Sequence, residues 1–588
     1  MFEARLIDTS VFAEARSHGL DPLIARIIAG RITSEDSLES ILSPQLQNIA
    51  PPSVLKDIKS ATDRLRLAIS NGELIGVLTD YDADGLTSHA VITHALLRFG
   101  VSDKQISHWI GHRLEDGYGI SETLVDRLLE SEDTPDVVIS ADCGSSDELQ
   151  IARLKNARID VIVTDHHRIS DDGPPKSASA VVNPNRTDCL YPDKAIAGCL
   201  VSWLVMSQLR QELIDFGVLD GTTPKLGDLL DYVALGTVAD CVSLGSSETN
   251  RAVVKAGLSL IARQERPCWQ VAISHLTSSP KEINAELLAF QLAPRLNARG
   301  RIGHSLRGYE YLSASSVVEA TDAFTDLDAD NKKRRKIEKA MVDWAKPLAR
   351  RQCLNGGLVL CVVLENGHSG VQGIVASRIV EIEGAPTIVF TAGNVVGTLT
   401  GSMRSIPEVD AKALLDQVNN NLPGVLIRYG GHTGACGMTI PKKALAVFSR
   451  ELQEVYRKTH PRVGPKTRFL VDGELLSEQL TTSWVEHMES LGPFGRGFDQ
   501  PLFMGIFQVV SVRIVGQDQT HLSLRLRFEG RELQAIWFSA LEPSEPAKVQ
   551  SGDWIKCVYN LTINTYRGQE VSLTIRHGEL EQKDNSHA

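Results

Sequence analysis

Three aspartates alternate within five residues directly after an apolar run. The run covers residues 74–78, and Asp80, Asp82 and Asp84 follow it before Gly85 and a helix-forming segment. The continuous apolar run predicts a buried strand. Three carboxylates this close repel one another, and a hard divalent cation relieves that repulsion, so the turn can form half of a Mn²⁺ or Mg²⁺ site. Taken alone, a solvated acidic turn explains it equally well.

Three further apolar runs are interpreted as buried strands that end near a carboxylate or an imidazole. Ligands of open α/β sheets bind outside the carboxyl ends of the strands, so the four run ends are expected to converge on one site. Each end alone also has a structural interpretation as a turn former, a helix cap or a buried polar pair. The runs and their polar residues are 136–140 with Asp142, 160–163 with Asp165, His166 and His167, and 232–236 with Asp240.

The combined donor set suits a pair of Mn²⁺ or Mg²⁺ ions. Most of its donor atoms are carboxylate oxygens and the others are imidazole nitrogens, and Asp80 and His167 are additional ligand candidates. Two ions about 3.5–4 Å apart can clamp the attacking and leaving oxygens of a phosphoryl displacement. The expected ligands are Asp82, Asp84, Asp142, His166 and Asp240.

Composition limits the class of protein. The chain has 588 residues, 42% of them hydrophobic and 23% charged, which predicts several soluble domains. A net charge of −12 argues against nonspecific coating of nucleic acid, so any nucleic-acid contact must be local. No apolar run has the length of a membrane span, and the start lacks a signal-peptide core.

The cysteines indicate a reducing compartment. There are 9, none in a Cys-x-x-Cys pair, which argues against a disulfide framework or structural zinc and predicts a cytoplasmic protein. Cys143 and Cys241 each follow a ligand candidate, and strand alternation predicts that both belong to the core.

The domains are predicted from shifts in the residue pattern. Residues 1–50 form a small helical segment without evident chemistry, and 51–320 alternate short β-branched runs with helical stretches, as in a parallel α/β sheet. A connecting helix over 321–350 is expected to stop at Pro347. Its basic run 331–336 is either a solvated face or a polar contact with the catalytic domain or the substrate.

Two further domains complete the predicted order. Residues 351–462 form a second α/β unit, in which a glycine cluster beside Arg404 and His432 either approaches a phosphate or makes a tight turn. Residues 463–588 are all-β, and the alternation over 522–528 predicts an OB-type barrel. The barrel binds either a single strand or a protein, and the candidate strand contacts are Arg525, Arg527, Tyr566 and Arg567.

The motifs resemble those of the DHH phosphoesterase superfamily. The segments 80–85, 142–145, 165–167 and 236–240 are similar, in order, to its four motifs. A second set is also family-specific, namely 112–119, 294–301, 401–405 and 430–432. The resemblance runs from about residue 50 to the end and is greatest to the bacterial single-strand-specific exonucleases of the superfamily.

The resemblance implies a fold and roles for individual residues. It implies a parallel-sheet DHH catalytic domain, a DHH-associated α/β domain joined by a long helix, and a C-terminal OB-type β-barrel. The ligand set given above then holds two Mn²⁺ or Mg²⁺ ions, His167 faces the scissile phosphate, and Asp165 and Asp80 complete the catalytic group. Arg113, Ser402 and Arg404 grip the 5′ phosphate. The other implied substrate-binding residues are Tyr118, Arg295, Asn297, Arg299, Arg301, Gly430, Gly431 and His432.

Two positions depart from the family pattern. Leu78 stands where some relatives have a histidine, which leaves the first ion with fewer ligands and is expected to weaken its binding. Asp80 is then either a compensating ligand or a residue that orients another ligand. Gly367 stands where relatives usually have tryptophan, so a surface on the substrate side is expected to differ.

The predicted function is metal-dependent degradation of single-stranded DNA from 5′ to 3′ by two-metal phosphodiester hydrolysis, in DNA repair and recombination. A phosphodiesterase of short oligonucleotides or nucleotides, or a non-catalytic replication scaffold, is the alternative. The predicted partners are single-stranded DNA, a single-strand-binding protein and a helicase. The chain is expected to be a monomer without membrane contact.

Overall fold

A computed structural model describes residues 2–112, 115–170, 172–277, 279–302, 306–541, 546–564 and 570–581. The chain divides into two compact units. The larger unit holds residues 2–110, 119–293 and the part from 469 onward, and the smaller unit holds 111–118 and 294–468.

The larger unit begins with a helical segment and an α/β domain. Its elements up to residue 292 are β1 (Phe2–Ala4), α1 (Thr9–Ser17), α2 (Pro22–Ala29), α3 (Leu38–Leu42), α4 (Ile58–Asn71), β2 (Ile75–Thr79), α5 (Ala83–Arg98), β3 (Ile106–Ile110), α6 (Glu122–Leu129), β4 (Val137–Ala141), α7 (Glu148–Asn156), β5 (Asp160–Thr164), β6 (Ala180–Val182), α8 (Gly198–Asp215), α9 (Leu230–Ala239), α10 (Glu248–Ala262), α11 (Pro267–Leu276) and α12 (Ala285–Leu287).

The remaining elements belong to the smaller unit and then to the C-terminal part of the larger one. The first group is α13 (Ala293–Ile302), α14 (Leu306–Ser313), α15 (Val317–Leu354), β7 (Leu360–Val363), α16 (Gln372–Glu383), β8 (Thr387–Ala392), β9 (Thr398–Arg404), α17 (Ala411–Asn421), β10 (Arg428–His432), β11 (Ala435–Pro441) and α18 (Leu445–Thr459). The second group is β12 (Phe469–Val471), β13 (Gly473–Glu474), α19 (Thr482–Glu489), β14 (Phe503–Val515), β15 (His521–Phe528), β16 (Arg531–Trp537), β17 (Trp554–Asn564) and β18 (Glu570–Leu580).

The sheet of the α/β domain is parallel throughout, which confirms the predicted fold class. Its strand order is β3-β2-β4-β5-β6. Every residue of β2 and β4 is buried, which explains why these strands are continuous apolar runs in the sequence. The carboxyl ends of β2, β4 and β5 are therefore neighbours at one edge of the sheet.

The apolar run 232–236 is helical, so the strand predicted there is wrong. It lies within α9, which is buried from Leu230 to Val238. A helix that is apolar on all sides has no amphipathic periodicity, and a short window of it cannot be told from a buried strand. α9 packs against α5, α8 and α10, and Asp240 is its C-terminal cap.

The first fifty residues contain helices α1, α2 and α3, as expected, and also a strand. This strand, β1, pairs in parallel with β12, so that Phe2 lies opposite Phe469 and Ala4 opposite Val471. The N-terminal segment is therefore tied to the chain that leads into the C-terminal barrel.

The smaller unit is a second α/β structure with helices on both faces of one sheet. The strand order is β10-β11-β9-β8-β7, in which only the β7–β8 pair is parallel. Side chains of α17 and α18 pack in the core of one face, and side chains of α15 and α16 pack in the core of the other.

The long helix α15 continues through Pro347, so the prediction that it ends there is wrong. A proline inside a helix costs about 3 kcal/mol, because one hydrogen bond is lost and the ring crowds the preceding turn. Ala345 and Ala349 are fully buried on either side of Pro347, and Met341 is 2% exposed. Their packing against the second sheet offsets the local cost.

The basic run on α15 is not a simple solvated face. Asn331 and Arg334 are 5% and 9% exposed. The Arg334 guanidinium donates to Asn331 Oδ1 at 2.5 Å and also to Glu338. Glu338 Oε1 lies 3.4 Å from the Arg378 Nε of α16. These polar groups therefore stabilise the packing of α15 on α16 within the smaller unit.

The C-terminal strands form a closed barrel, which confirms the predicted OB-type fold. β14 pairs with both β15 and β17, and the circuit is completed by β16 and β18, which are parallel to each other. In β15 the side chains of Leu522, Leu524 and Leu526 are buried while Arg525 and Arg527 are exposed, as the alternation predicts. No helix in the described part of the chain is long and apolar enough to span a bilayer.

Candidate functional site

The polar residues after β2, β4 and β5 meet at one edge of the parallel sheet, joined by Asp240 from the end of α9. Their ligand atoms form three overlapping groups, each within 4.8 Å. The groups are Asp80, Asp82 and Asp142; Asp84, His166 and Asp240; and Asp142, Asp165, His166 and His167. The predicted convergence of ligand candidates is thus present, although one contributor is a helix end.

His166 occupies the centre of this cluster, which we call the metal centre. Its Nε2 atom lies 3.1 Å from Asp142 Oδ1, 3.7 Å from Asp84 Oδ2 and 3.6 Å from Asp240 Oδ2. Burial lowers the pKa of His166 below its ordinary value despite the surrounding carboxylates, and this favours the neutral imidazole that coordinates cations.

Asp84 is held by the start of α8. Its Oδ2 accepts a hydrogen bond from the Gly198 N–H at 2.7 Å, and its Oδ1 accepts one from the Cys199 N–H at 2.9 Å. The positive end of the helix dipole stabilises the buried carboxylate. A Cβ atom at Gly198 would lie 2.8 Å from the Cβ of Asp142, so the close approach requires glycine.

The carboxylates are crowded enough to oppose one another's ionisation. Burial, and next the charges of Asp84 and Asp82, raise the pKa of both Asp142 and Asp240 well above the ordinary value. Asp142 also has a backbone φ of 60°, an uncommon left-handed conformation for a non-glycine residue. Oxygen-rich, buried and mutually repelling donors with one neutral imidazole fit hard divalent cations.

Asp165 holds His167 beside the metal centre. Asp165 Oδ1 lies 2.8 Å from His167 Nδ1, and Asp165 Oδ2 accepts from the Ser145 N–H at 3.0 Å. Burial lowers the pKa of His167, but the hydrogen bond and charge of Asp165 outweigh it and raise the pKa to about 9. The side chain of His167 is 42% exposed, so a positively charged imidazole faces solvent at neutral pH.

Three family models match the chain in the same order as its domains. The model described as "DHH family, N-terminal domain" matches residues 74–237, "DHHA1 domain" matches 355–458 and "RecJ OB domain" matches 471–577.

Relatives match over nearly the whole length. "Single-stranded-DNA-specific exonuclease RecJ" of Escherichia coli is 33% identical over 563 residues, covering 93% of this chain and 94% of that protein. The chain belongs to the RecJ family. RecJ of Bacillus subtilis is 30% identical over 553 residues, covering 94% of this chain and 67% of that protein.

Solved RecJ structures share the fold. RecJ of Thermus thermophilus in complex with Mn²⁺ superimposes with a TM-score of 0.77 at 24% identity, covering 99% of this chain and 80% of that one. A manganese-bound exonuclease RecJ superimposes with a TM-score of 0.56 at 29% identity, covering 69% of this chain and 96% of that one.

In this RecJ family member, two of the predicted phosphate ligands lie at the start of α16 in the smaller unit. Arg404 Nη1 donates to Ser402 Oγ at 3.0 Å. A Cβ atom at Gly373, the second residue of α16, would lie 2.5 Å from Arg404 Nη2. Arg301 Nη1 donates to Gly370 O at 2.7 Å, just before the same helix. Two arginines and a hydroxyl thus surround a helix N-terminus, which is a favourable place for an anion.

The glycine cluster forms the hairpin between β10 and β11, on the same sheet. Gly430 lies opposite Gly437, which in turn lies opposite Ser402 on β9. Gly431 has a φ of 140°, and His432 is exposed at the turn. The predicted tight turn is therefore present, and it places His432 opposite Ala435 of β11, which in turn lies opposite Arg404 of β9.

The other arginines expected to bind substrate have carboxylate partners within the smaller unit. Arg295 pairs with Asp328 at 2.9 Å, and Arg299 pairs with Asp330 at 2.5 Å, both on α15. Tyr118 is 51% exposed. Asn297 is partly buried in α13, and Arg113 lies outside the described residues.

The two departures from the family pattern have local explanations. Leu78 is fully buried in the hydrophobic cluster on one face of the parallel sheet. A Cβ atom at Gly367 would lie 2.7 Å from Met341 Cε and 2.9 Å from Leu364 O, so the chain has no room for a side chain there.

The two cysteines that follow ligand candidates differ in burial. Cys143 is buried as predicted, but Cys241 is exposed, so its assignment to the core is wrong; it follows a helix end, where strand alternation does not apply.

The barrel arginines Arg525 and Arg527 both approach Glu532, at 3.6 Å and 2.8 Å. Tyr566 and Arg567 lie outside the described residues.

Sequence reasoning missed the residues that support the ligands. Asn183 Nδ2 donates to Ser145 Oγ at 2.8 Å and to His167 O at 2.9 Å, so it fixes the loops after β4 and β5. Asp147 accepts from the Ile120 N–H at 2.8 Å, and its pKa rises to about 6 through burial. Asn183 follows β6 at the same sheet edge, and that position after a strand was the available signal.

Proposed function

We propose that this RecJ family member is a metal-dependent exonuclease that degrades single-stranded DNA from 5′ to 3′ by two-metal phosphodiester hydrolysis. The observation that carries the proposal is the pair of interlocked donor groups joined by the contact of 3.1 Å between His166 and Asp142. Family membership supports the same conclusion, because the relatives named above are single-stranded-DNA-specific exonucleases.

Each donor group is suited to one Mn²⁺ or Mg²⁺ ion. Asp80, Asp82 and Asp142 would hold one, and Asp84, His166 and Asp240 would hold the other. When bound, two such ions supply an activated water and neutralise the charge that develops on the phosphate. Asp80 then acts as a ligand that makes up for the leucine at position 78, one of the two roles that the sequence leaves open.

The chain's own residues orient the substrate and complete the charge balance. Asp165 fixes the ring of His167 and keeps it protonated, so that its other ring nitrogen can donate to a phosphate oxygen. This follows the pattern of a positioned imidazole oriented by a carboxylate.

The proposed assignment for the smaller unit is the grip on the 5′ phosphate. It rests on Arg404, Ser402 and the N-terminus of α16, with Arg301 beside them. Arg404→Ala is expected to reduce the preference for 5′-phosphorylated over 5′-hydroxyl strands by about 10-fold to 100-fold, the value of a charge-assisted contact. Arg428→Ala, on the exposed side of β10, is the matched control.

The decisive experiment follows nucleotide release from a 5′-phosphorylated single strand with Mn²⁺. Asp142→Ala is expected to slow release at least about 100-fold, because it removes a donor of one group that also contacts His166 in the other. Asp133→Ala, an exposed residue, should match the wild type. Release by Asp142→Ala at the wild-type rate would refute the site.

The same assay tests polarity and substrate class. A 5′ label should appear first as mononucleotide while a 3′ label remains in long products, and the reverse order contradicts the direction. Faster cleavage of dinucleotides than of long strands would instead support the phosphodiesterase alternative. Roles in repair and recombination, a single-strand-binding protein and helicase as partners, and a cytoplasmic monomer stay predictions.

A further inference from the structure

The segment that leads into the barrel passes beside the metal centre within the larger unit. We call residues 491–499 the linking segment. The guanidinium of Arg251, whose side chain is fully buried, donates to Leu491 O at 2.6 Å and to Pro493 O at 3.2 Å. It also lies over the ring of Phe498, 4.5 Å from its centroid. The linking segment is therefore held at both ends by one buried cation.

Close backbone packing fixes the middle of the linking segment against the turn that follows Asp240. The Leu244 N–H donates to Arg496 O at 2.8 Å. A Cβ atom at Gly245 would lie 2.3 Å from Gly497 O, and one at Gly495 would lie 2.8 Å from Leu244 Cδ1. The glycines permit this approach, which sets the position of the Arg496 backbone.

The side chain of Arg496 extends from this fixed backbone toward the ligand residue Asp240. Its Nη1 atom lies 3.4 Å from the carbonyl oxygen of Cys241, the next residue after Asp240. The guanidinium thus lies next to the residue that follows a ligand of the metal centre, without being part of the donor groups.

Four other arginines of the larger unit have carboxylate partners that Arg496 lacks among the described residues. Arg98, Arg153, Arg186 and Arg266 each pair with a carboxylate. Arg496 is exposed, and within the described part of the chain no carboxylate oxygen lies within 4.0 Å of it. Among the residues that the structure describes, its one hydrogen bond is to a carbonyl at 3.4 Å, so most of its donors remain available at the surface.

We propose that Arg496 binds a backbone phosphate of the DNA strand at the metal centre, as a substrate-contacting residue contributed by the linking segment. This rests on the proposed function. A planar guanidinium presents paired donors that match phosphate oxygens, and a rigid backbone keeps the loss of entropy on binding small. The segment that precedes the barrel then links the barrel to the reaction, in addition to any contacts that the barrel itself makes with the DNA strand.

The test compares Arg496→Ala and Arg496→Lys with Arg263→Ala, which removes the same charge from an exposed position after α10. Cleavage of a 5′-phosphorylated single strand is measured with Mn²⁺, and binding of the same strand is measured in EDTA. Arg496→Ala should lower kcat/KM about 10-fold to 100-fold, the effect of one lost charge-assisted contact. Arg496→Lys should recover part of the loss, because it keeps the charge but not the fork.

Salt dependence gives a readout that a purely structural role would not change. One lost phosphate contact should make the slope of log affinity against log salt shallower by about 0.7. The melting temperature and the affinity for Mn²⁺ should stay at the values of Arg263→Ala. Equal cleavage, binding and salt slope in Arg496→Ala and Arg263→Ala would overturn the proposal. So would a loss of Mn²⁺ affinity with unchanged DNA binding, because Arg496 would then act only on Asp240.

Failure of the proposed function has a different signature. If the wild type releases no nucleotide and matches Asp142→Ala, the exonuclease assignment falls. The binding arm in EDTA still decides the role of Arg496, since it requires no turnover.

Discussion

At the scale of single residues, the metal centre depends on a glycine that has no chemistry of its own. Gly198 begins α8, donates its N–H to Asp84 and faces Asp142. Two ligands from different strands can therefore approach the same helix end only while position 198 lacks a side chain. The positive end of the helix dipole then offsets part of the repulsion among the buried carboxylates.

Gly198→Ala is expected to lower the affinity for Mn²⁺ and the rate of nucleotide release at least about tenfold, because Asp142 must shift away from the added methyl group. The added methyl group would lie 2.8 Å from Asp142 Cβ and 3.0 Å from Asp142 Oδ1. Metal titration by calorimetry and nucleotide release measure the two effects. Gly221→Ala is the control, because a Cβ atom there has nothing within 4 Å. Equal Mn²⁺ affinity in the two variants would contradict this role.

The convergence of the polar residues on one site could be predicted from the sequence, but the residues that support them could not. The pattern of a metal-compatible group after an apolar run identifies Asp82, Asp142 and His166 as candidates. Gly198 and Asn183 act through contacts with residues that are distant in the sequence, at 2.7 Å to Asp84 and 2.8 Å to Ser145. No local pattern distinguishes Gly198 from an ordinary cap residue, and only its position directly after β6 marks Asn183.

At the scale of elements, secondary structure can be predicted where the length and the periodicity of an apolar run indicate the same element. It cannot be predicted where burial on all sides removes the periodicity. The strands β2, β4 and β5 are short β-branched runs of five residues, and each was correctly predicted. α9 is apolar on every side, so its window carries no helical signal. Pro347 indicates a helix end, but tertiary packing of α15 overrides that local preference.

The packing of α5 on α9 makes stability depend on pH. His94 on α5 stacks on Tyr232 of α9, with ring centroids 5.5 Å apart, and its Nε2 lies 3.3 Å from the Tyr232 hydroxyl. Burial, followed by the charges of Arg266 and Arg98, lowers the pKa of His94 from 6.5 to about 4. The unfolded chain therefore binds a proton at His94 over a pH range in which the folded chain does not.

Protonation of the unfolded state is expected to destabilise the protein as the pH falls from about 6.5 toward 4. The stabilisation that depends on neutral His94 is fully present above about pH 6.5, and about 2 kcal/mol of it is lost by pH 5. His94→Phe keeps the stacked ring without titrating, so its free energy of unfolding should change less between pH 7 and pH 5 than that of the wild type. Chemical denaturation at both pH values measures the difference, and parallel changes would contradict the assignment to His94.

At the scale of the whole molecule, the N-terminal segment acquires a role that its sequence did not indicate. Arg31 and Asp472 are 441 positions apart, yet Arg31 Nη1 and Nη2 donate to the two carboxylate oxygens at 2.7 Å and 2.9 Å. Arg26 donates to Asp472 O at 2.6 Å, and the Leu502 N–H donates to Asp472 Oδ2 at 2.9 Å. Such long-range pairing leaves no local signature, which is why the segment had no predicted function.

Asp472→Ala is expected to lower the free energy of unfolding by about 3–5 kcal/mol. The side chains of Arg31 and Asp472 are 0% and 1% exposed, so the substitution leaves a buried guanidinium without its carboxylate. The linkage between the N-terminal segment and the start of the barrel should weaken, and proteolysis within the first fifty residues should accelerate. Denaturant titration and limited proteolysis of the full chain measure both effects.

Asp499→Ala is the matched control, because it removes a carboxylate that meets the same arginines at the surface. Asp499 Oδ2 lies 2.5 Å from Arg5 Nη2 and 3.8 Å from Arg31 Nη2, and its side chain is 56% exposed. Solvent screening limits such a pair to about 0–1 kcal/mol. If both variants lose stability equally, burial of Asp472 does not determine the strength of the linkage, and the N-terminal segment must be held chiefly by the pairing of β1 with β12.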